Sequence, residues 1–225
     1  MASDPTALAA HLKKYYRVDI PIASDGRIEF AWTRRNSEAI LNQLRERFKD
    51  LPAGSKVLEL ASGSGEHLTK LAQQMPNITF YPTEGDSMLL PSIDAWIKYS
   101  NVQNVAEPTV LNFGTQAFSH PVDAAWVVNV THISPWAHTV GLFTNLAQVL
   151  GPNAWLGIYG AFNRNGQFSS PSNKDFDIDL RERNSEWGIR DLETVEAEGN
   201  KHGFVLKEVH EMPANNLFVW FRRDT

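Results

Sequence analysis

The chain has 225 residues, no cysteine and a formal net charge of −5 at pH 7. Its length suits one α/β domain with a sizeable core, while the missing cysteines exclude disulfides, thiolate nucleophiles and cysteine-ligated metals. The acidic balance argues against a nucleic-acid surface, no apolar run approaches the roughly 18–20 residues that span a bilayer, and Met1 to Ala10 lacks the basic-then-apolar pattern of a secretory leader, so a cytoplasmic protein is expected.

In chain order, Thr6 to Tyr16 reads as a short helix and Pro21 to Gly26 as a turn, both within an N-terminal segment of about 1–35. Ile40, Leu41, Leu44 and Phe48 recur at helical spacing and predict a helix over about Ser37 to Phe48. Strands and helices then alternate. The strands are expected near Lys56–Ala61, Ile78–Thr83, Thr109–Phe113, Ala124–Val130 and Ala154–Tyr159, and the helices near Glu66–Gln74, Met88–Tyr99 and Pro135–Leu150, the last with Ser134 as its N-cap. The stretch of about 162–190 is polar and poor in aliphatic residues but keeps Phe168, Phe176 and Trp187, which suggests an ordered lid with a helix around Asn173–Glu182. A helix over Asp191–Gly199 precedes two strands, Phe204–Met212 and Leu217–Arg222, joined by Pro213-Ala214-Asn215-Asn216. This alternation predicts one Rossmann-like α/β domain over 1–225, with a mostly parallel sheet, helices on both faces and an antiparallel end.

The chemistry concentrates in Val57-Leu58-Glu59-Leu60-Ala61-Ser62-Gly63-Ser64-Gly65-Glu66-His67, an apolar strand that breaks into a glycine turn and opens a helix. Open α/β sheets bind nucleotide-like cofactors at such turns. No Gly-Lys-Ser/Thr ending follows, so the turn is not a P-loop, and Leu68 stands where a dinucleotide fingerprint needs a third glycine. Glu59 would repel a phosphate and hold an ammonium. These features suit S-adenosylmethionine; the plainer alternative is a solvated strand end and an ordinary turn. Glu84, roughly 20 residues after the glycine turn, sits where a carboxylate accepts ribose hydroxyls. Asp86 competes for that role, and either acid can instead cap the next helix.

Ligands in such sheets lie beyond the carboxyl ends of the strands. The fourth strand ends at Val128-Asn129-Val130-Thr131-His132, which puts Asn129 and His132 at that rim, and a histidine of ordinary pKa titrates near neutrality, so His132 is the candidate general base; its alternative is a brace for the helix at Ser134-Pro135. Trp136 closes the site or belongs to the core. Tyr159, at the end of the fifth strand, positions a substrate or satisfies a core hydrogen bond. In the lid, Asn173, Phe176, Asp177, Arg181 and Arg190 are substrate-binding candidates, the arginines as carboxylate or phosphate binders or as partners of neighbouring acids. Asn215 and Asn216 reach the site or shape the turn. The scattered histidines contain no His-x-x-x-His pair, so no metal is expected.

Six strings, read together, resemble one family: Leu60-Ala61-Ser62-Gly63-Ser64-Gly65-Glu66-His67, Ser92-Ile93-Asp94-Ala95-Trp96, His132-Ile133-Ser134-Pro135-Trp136, Ser172-Asn173-Lys174-Asp175-Phe176-Asp177, Trp187-Gly188-Ile189-Arg190-Asp191 and Met212-Pro213-Ala214-Asn215-Asn216. From about Arg35 to Arg223 the chain resembles the methyltransferase-like protein 26 family, whose members look like class I S-adenosylmethionine-dependent methyltransferases. The resemblance implies a seven-stranded sheet with its last pair antiparallel. It also implies a cofactor site at Glu59, Ala61, Gly63, Gly65, Glu84, Asn112 and Phe113, with an Arg35-Asn36 pair before the first long helix. Glu84 and Asn112 stand where the family usually has aspartates. The expected activity is methyl transfer to an oxygen or nitrogen of a small molecule. The alternatives are a different reaction on the same cofactor, such as cyclisation or rearrangement, and a non-catalytic binding or adaptor role.

Overall fold

Among the described residues seven α-helices and eight strands form in the order α1 (Pro5–Tyr16), α2 (Ala31–Phe48), β1 (Lys56–Leu60), α3 (Glu66–Gln74), β2 (Thr79–Glu84), α4 (Leu90–Ser100), β3 (Thr109–Val110), β4 (Val122–Val128), α5 (Trp136–Leu146), β5 (Leu150–Asn163), α6 (Pro171–Arg183), β6 (Arg190–Asp191), α7 (Leu192–Lys201), β7 (Phe204–Met212) and β8 (Asn216–Arg223). The structure is a computed structural model that describes residues 5–224. Its contacts define two compact units, one of Ala61–Val110 with the described residues up to Ser55, the other of Lys56–Leu60 with everything from Leu111 onward.

In the first unit β2 and β3 pair in parallel, Thr83 opposite Thr109. Leu8 and Leu12 of α1 bury against Ile28, Phe30 and Leu89, each such side chain contributing about 1.5–3 kcal/mol. The helix α2 begins six residues before the expected Ser37. Its buried face continues at helical spacing through Thr33, Asn36, Ser37, Ile40, Leu41, Leu44 and Phe48. The first three are polar, so hydropathy shows only the second half of that stripe. Arg35 and Asn36 therefore lie inside the helix rather than before it. The third strand is two residues long instead of five, because Asn112 folds into a turn where its side-chain oxygen accepts the Gly114 N–H at 3.1 Å.

In the second unit β4 lies between β1 and β5, all parallel. β8 pairs antiparallel with both β5 and β7. Val57, Leu58, Leu60, Ala125, Val127, Leu156 and Ile158 are all buried, as strands covered on both faces require. The fifth strand starts four residues early and continues four residues past Tyr159. Its far end pairs in parallel with β6, Phe162 opposite Arg190. The expected lid thus leaves and returns on neighbouring strands, and α6 is fixed by a small core of Ala161, Leu180, Trp187 and Ile189. Ser134 is not the N-cap of α5: Pro135 holds that position, and the Ser134 hydroxyl donates to the Val130 carbonyl at 2.9 Å.

Gly141 of α5 marks the tightest backbone approach in this unit. A Cβ there would lie 1.9 Å from the Gly114 carbonyl oxygen. In a helix interior alanine normally gains roughly 1 kcal/mol over glycine. Here steric overlap reverses the sign, and Gly141→Ala should destabilise the protein by about 1–3 kcal/mol in urea denaturation.

Candidate active site

The glycine loop after β1 is built on left-handed backbone. Ala61, Gly63 and Gly65 have φ of +52°, +59° and +94°. Gly65 has no substitute, since a Cβ would sit 2.8 Å from the Ile93 Cα. At Gly63 the only atom such a Cβ would approach within 4 Å is Phe30 Cε2, at 3.7 Å, so its outer side is open to a ligand. The Gly63 N–H donates to Glu84 Oε2 at 2.8 Å, and the Asp86 N–H donates to Glu84 Oε1 at 3.1 Å. Burial, with the Asp86 charge, holds the Glu84 carboxyl above the ordinary carboxylate value, against the downward pull of the N–H groups of Asp86, Gly63 and Gly85. Asp86 accepts the Met88 N–H at 3.0 Å and pairs with His11 of α1 at 2.5 Å. Of the two candidate acids, Glu84 serves the loop and Asp86 caps the turn.

Two further contacts, neither of them expected, fix this loop. The Ser92 hydroxyl donates to the Ser64 carbonyl and accepts the Ile28 N–H, both at 2.9 Å. His67 Nε2 lies 3.1 Å from Asn36 Oδ1, so Asn36 positions α3 while Arg35 is exposed on α2. Burial, with the charge of Lys70, lowers the His67 pKa to about 3.

In the second unit Glu59 is buried on β1, one residue from the strand's end. Asn112 is exposed, its side-chain oxygen engaged with Gly114. The carbonyl of Phe113 accepts from Asn145 at 2.9 Å, and its ring lines a small apolar crevice with Leu58, Leu60, Leu111 and Leu142. Asn129 ends β4 at φ +56°, a conformation asparagine tolerates, and donates its N–H to the Tyr159 carbonyl at 2.8 Å.

His132 is buried, with its ring edge-on to Phe176 at 5.4 Å. Its Nδ1 has no hydrogen-bond partner among the described residues. A Cβ at position 160 would lie 3.2 Å from that nitrogen, so the ring occupies the space that Gly160 leaves. The expectation of an ordinary histidine pKa is overturned. Burial first, then the charges of Arg190 and Arg183, lower it to about 4, and the ring is neutral at physiological pH.

The other candidates divide. Tyr159 is not at the rim: it is fully buried in the middle of β5, opposite Phe218, because the strand continues to Asn163. Trp136 is half-buried in the first turn of α5. Asn173 and Asn215 are brought together, the buried Asn173 amide donating to the Asn215 carbonyl at 3.2 Å. This joins the start of α6 to the turn before β8. Arg181 pairs with an acid, as the plainer reading had it, but with Asp177 at 2.7 Å, itself a substrate-binding candidate, and, among the described residues, not with Asp175, Asp179, Glu182 or Asp191. Gly160 and Gly188 are close-approach positions beside His132 and Asp177; for Gly160, a glycine inside a strand already signals such an approach.

These strands and helices define a Rossmann-like methyltransferase fold. The chain resembles TnmH at 18% identity and a TM-score of 0.71, over 86% of this chain and 56% of that one. It also resembles the S-adenosylmethionine-dependent methyltransferase SibL at 15% and 0.72, over 87% and 56%. A third match is an O-methyltransferase family 2 protein from Planctomyces limnophilus, solved with apigenin, at 15% and 0.68 over 83% and 60%. The chain spans a little over half the length of these proteins. Residues 29–223 match the family described as protein of unknown function, DUF938, and the chain belongs to that family. Among the described residues no helix is long and apolar enough to cross a membrane, and no three His, Cys, Asp or Glu residues are grouped to hold a metal ion.

The two buried histidines make stability depend on pH. Unfolded, each titrates near 6.5; folded, near 3 for His67 and 4 for His132. Between those values the unfolded chain binds more protons, so stability is complete above about pH 6.5 and is lost as pH falls toward the folded values. Urea denaturation at pH 7 and pH 5 should show a loss of up to about 1.4 kcal/mol per histidine per pH unit, with His67→Gln flattening the slope.

Proposed function

We propose that this chain binds S-adenosylmethionine at the loop after β1 and transfers a methyl group to an oxygen or nitrogen of a small molecule, as a relative of the methyltransferase-like protein 26 family. The observation that carries this reading is the Glu84 carboxylate, held by the Gly63 and Asp86 N–H groups at 2.8 and 3.1 Å. An anion already occupies the amide position that a P-loop offers to phosphate. A carboxylate so held keeps lone pairs for ribose hydroxyls. The open side of Gly63 and the buried acid Glu84 suit a nucleoside that carries no phosphate there.

When bound, S-adenosylmethionine supplies a methyl group already activated by the sulfonium. The chain's own contribution is orientation, exclusion of water and disposal of a proton. With a pKa near 4, His132 accepts a hydrogen bond from the acceptor's O–H or N–H in the ground state. It takes the proton only as the new bond to carbon makes that group acidic. Phe176, against the ring, gives the acceptor an apolar edge. The apigenin found with a structurally similar protein supports a small planar acceptor.

Calorimetric titration should show S-adenosylmethionine binding in preference to nicotinamide cofactors. Glu84→Gln, losing a charged hydrogen-bond acceptor, should weaken binding about 10- to 100-fold, and Gly63→Leu should abolish it. A folded wild-type protein that binds no S-adenosylmethionine would overturn this reading.

A further inference from the structure

Among the described residues His132 Nδ1 finds no hydrogen-bond partner, yet the loop that carries it is heavily restrained. Arg190 Nε donates to the Thr131 carbonyl at 3.1 Å, and Nη2 donates to the carbonyls of Ser134 and Glu186, both at 2.7 Å. The Gly188 N–H donates to the His132 carbonyl at 3.0 Å. This clamp is anchored in turn by the buried Asp177 of α6. One of its carboxylate oxygens accepts the Ile189 N–H at 2.7 Å and the other accepts Arg181 Nε at 2.7 Å. Gly188, at φ +144°, permits the arrangement: a Cβ there would lie 2.6 Å from Arg181 Nη2 and 2.9 Å from Asp177 Oδ1.

The charges are arranged unequally. Arg181 is paired with Asp177, and Arg183 lies 3.6 Å from Asp179 and over the Trp187 ring. Arg190 makes no ion pair among the described residues; its guanidinium is held by carbonyl oxygens alone. Carbonyls satisfy its N–H groups without cancelling its charge. We propose that Arg190 is a positioning residue for His132: it fixes the loop that carries the imidazole and sets a cation on the carbonyls to either side of it. This rests on the reading of His132 as the acceptor-side base.

The groups facing the ring are Arg190 of β6, Arg183 and Phe176 of α6, and the backbone of Gly160 in β5. Among them Arg190 is the larger charged contributor to keeping the ring unprotonated, after burial itself. A mere structural clamp needs donors to carbonyls. A positioning cation also needs charge.

The two are separated by ring nitrogen spectra of ¹⁵N-histidine-labelled full-length protein between pH 7 and pH 5, with His132→Asn identifying the signal. In the wild type, with a midpoint near 4, the ring should stay mostly neutral at pH 5. In Arg190→Met it should be measurably protonated there, its midpoint raised but still below 6.5 because burial persists. Arg190→Gln, which keeps a donor for the carbonyls and loses the charge, should behave the same way and serves if the methionine variant does not fold. Arg190→Lys should keep the ring neutral. An unmoved midpoint in both neutral variants, or an Arg190→Lys midpoint raised as far as theirs, would overturn the proposal. The measurement needs neither cofactor nor acceptor, so failure to bind S-adenosylmethionine would sink the methyl-transfer reading and leave this result legible on its own.

Discussion

A carboxylate buried at the end of β2 is the constraint around which the first unit is organised. A glycine loop with repeated left-handed residues exposes backbone N–H groups that need an acceptor. Glu84 supplies one, and its other oxygen accepts the N–H of Asp86. Burying a carboxylate is costly unless such donors are present, so loop and acid require each other. Ser92 and Ile93 of α4 complete the enclosure by bonding Ser64 and closing on Gly65. With its amide already engaged by an internal anion, the loop is poorly suited to phosphate.

The second unit solves a different problem: how to hold a buried imidazole whose Nδ1 has no hydrogen-bond partner among the described residues. A neutral ring with a free nitrogen in a buried position loses hydrogen bonds that water would provide. The compensation lies in the backbone around it, where Arg190 gathers three carbonyls and Gly188 a fourth. Asp177, buried in α6, transmits rigidity from the helix to that clamp through Ile189 and Arg181. The strings around His132, Asp177 and Arg190 are thus parts of one network. Asn173 and Asn215 form a separate tie that fixes the start of α6 against the turn before β8.

Both units therefore place functional groups by backbone hydrogen bonds more than by side-chain pairing. That makes glycine positions decisive. Gly65, Gly160 and Gly188 each stand where a methyl group would strike Ile93, His132 or Asp177. The family to which the chain belongs is described only as of unknown function.

Alternating apolar strands and amphipathic helices were enough to read the α/β class, the antiparallel end and the glycine turn from sequence, because burial on a two-sided sheet imposes itself on every residue of β1 and β4. Glu59, Gly63, Gly65, Glu84 and His132 were legible for the same reason: each breaks the local pattern with a residue that the core would not choose. The start of α2 was hidden because Thr33, Asn36 and Ser37 bury polar side chains, and the reach of β5 because Gly157, Gly160 and Ala161 carry little hydropathy. Only the tertiary structure decided that Glu84 rather than Asp86 serves the loop, that Tyr159 is core, and that His132 is held neutral. Those outcomes depend on burial and on charges from residues about 50 positions away in the chain, and no local spacing encodes them.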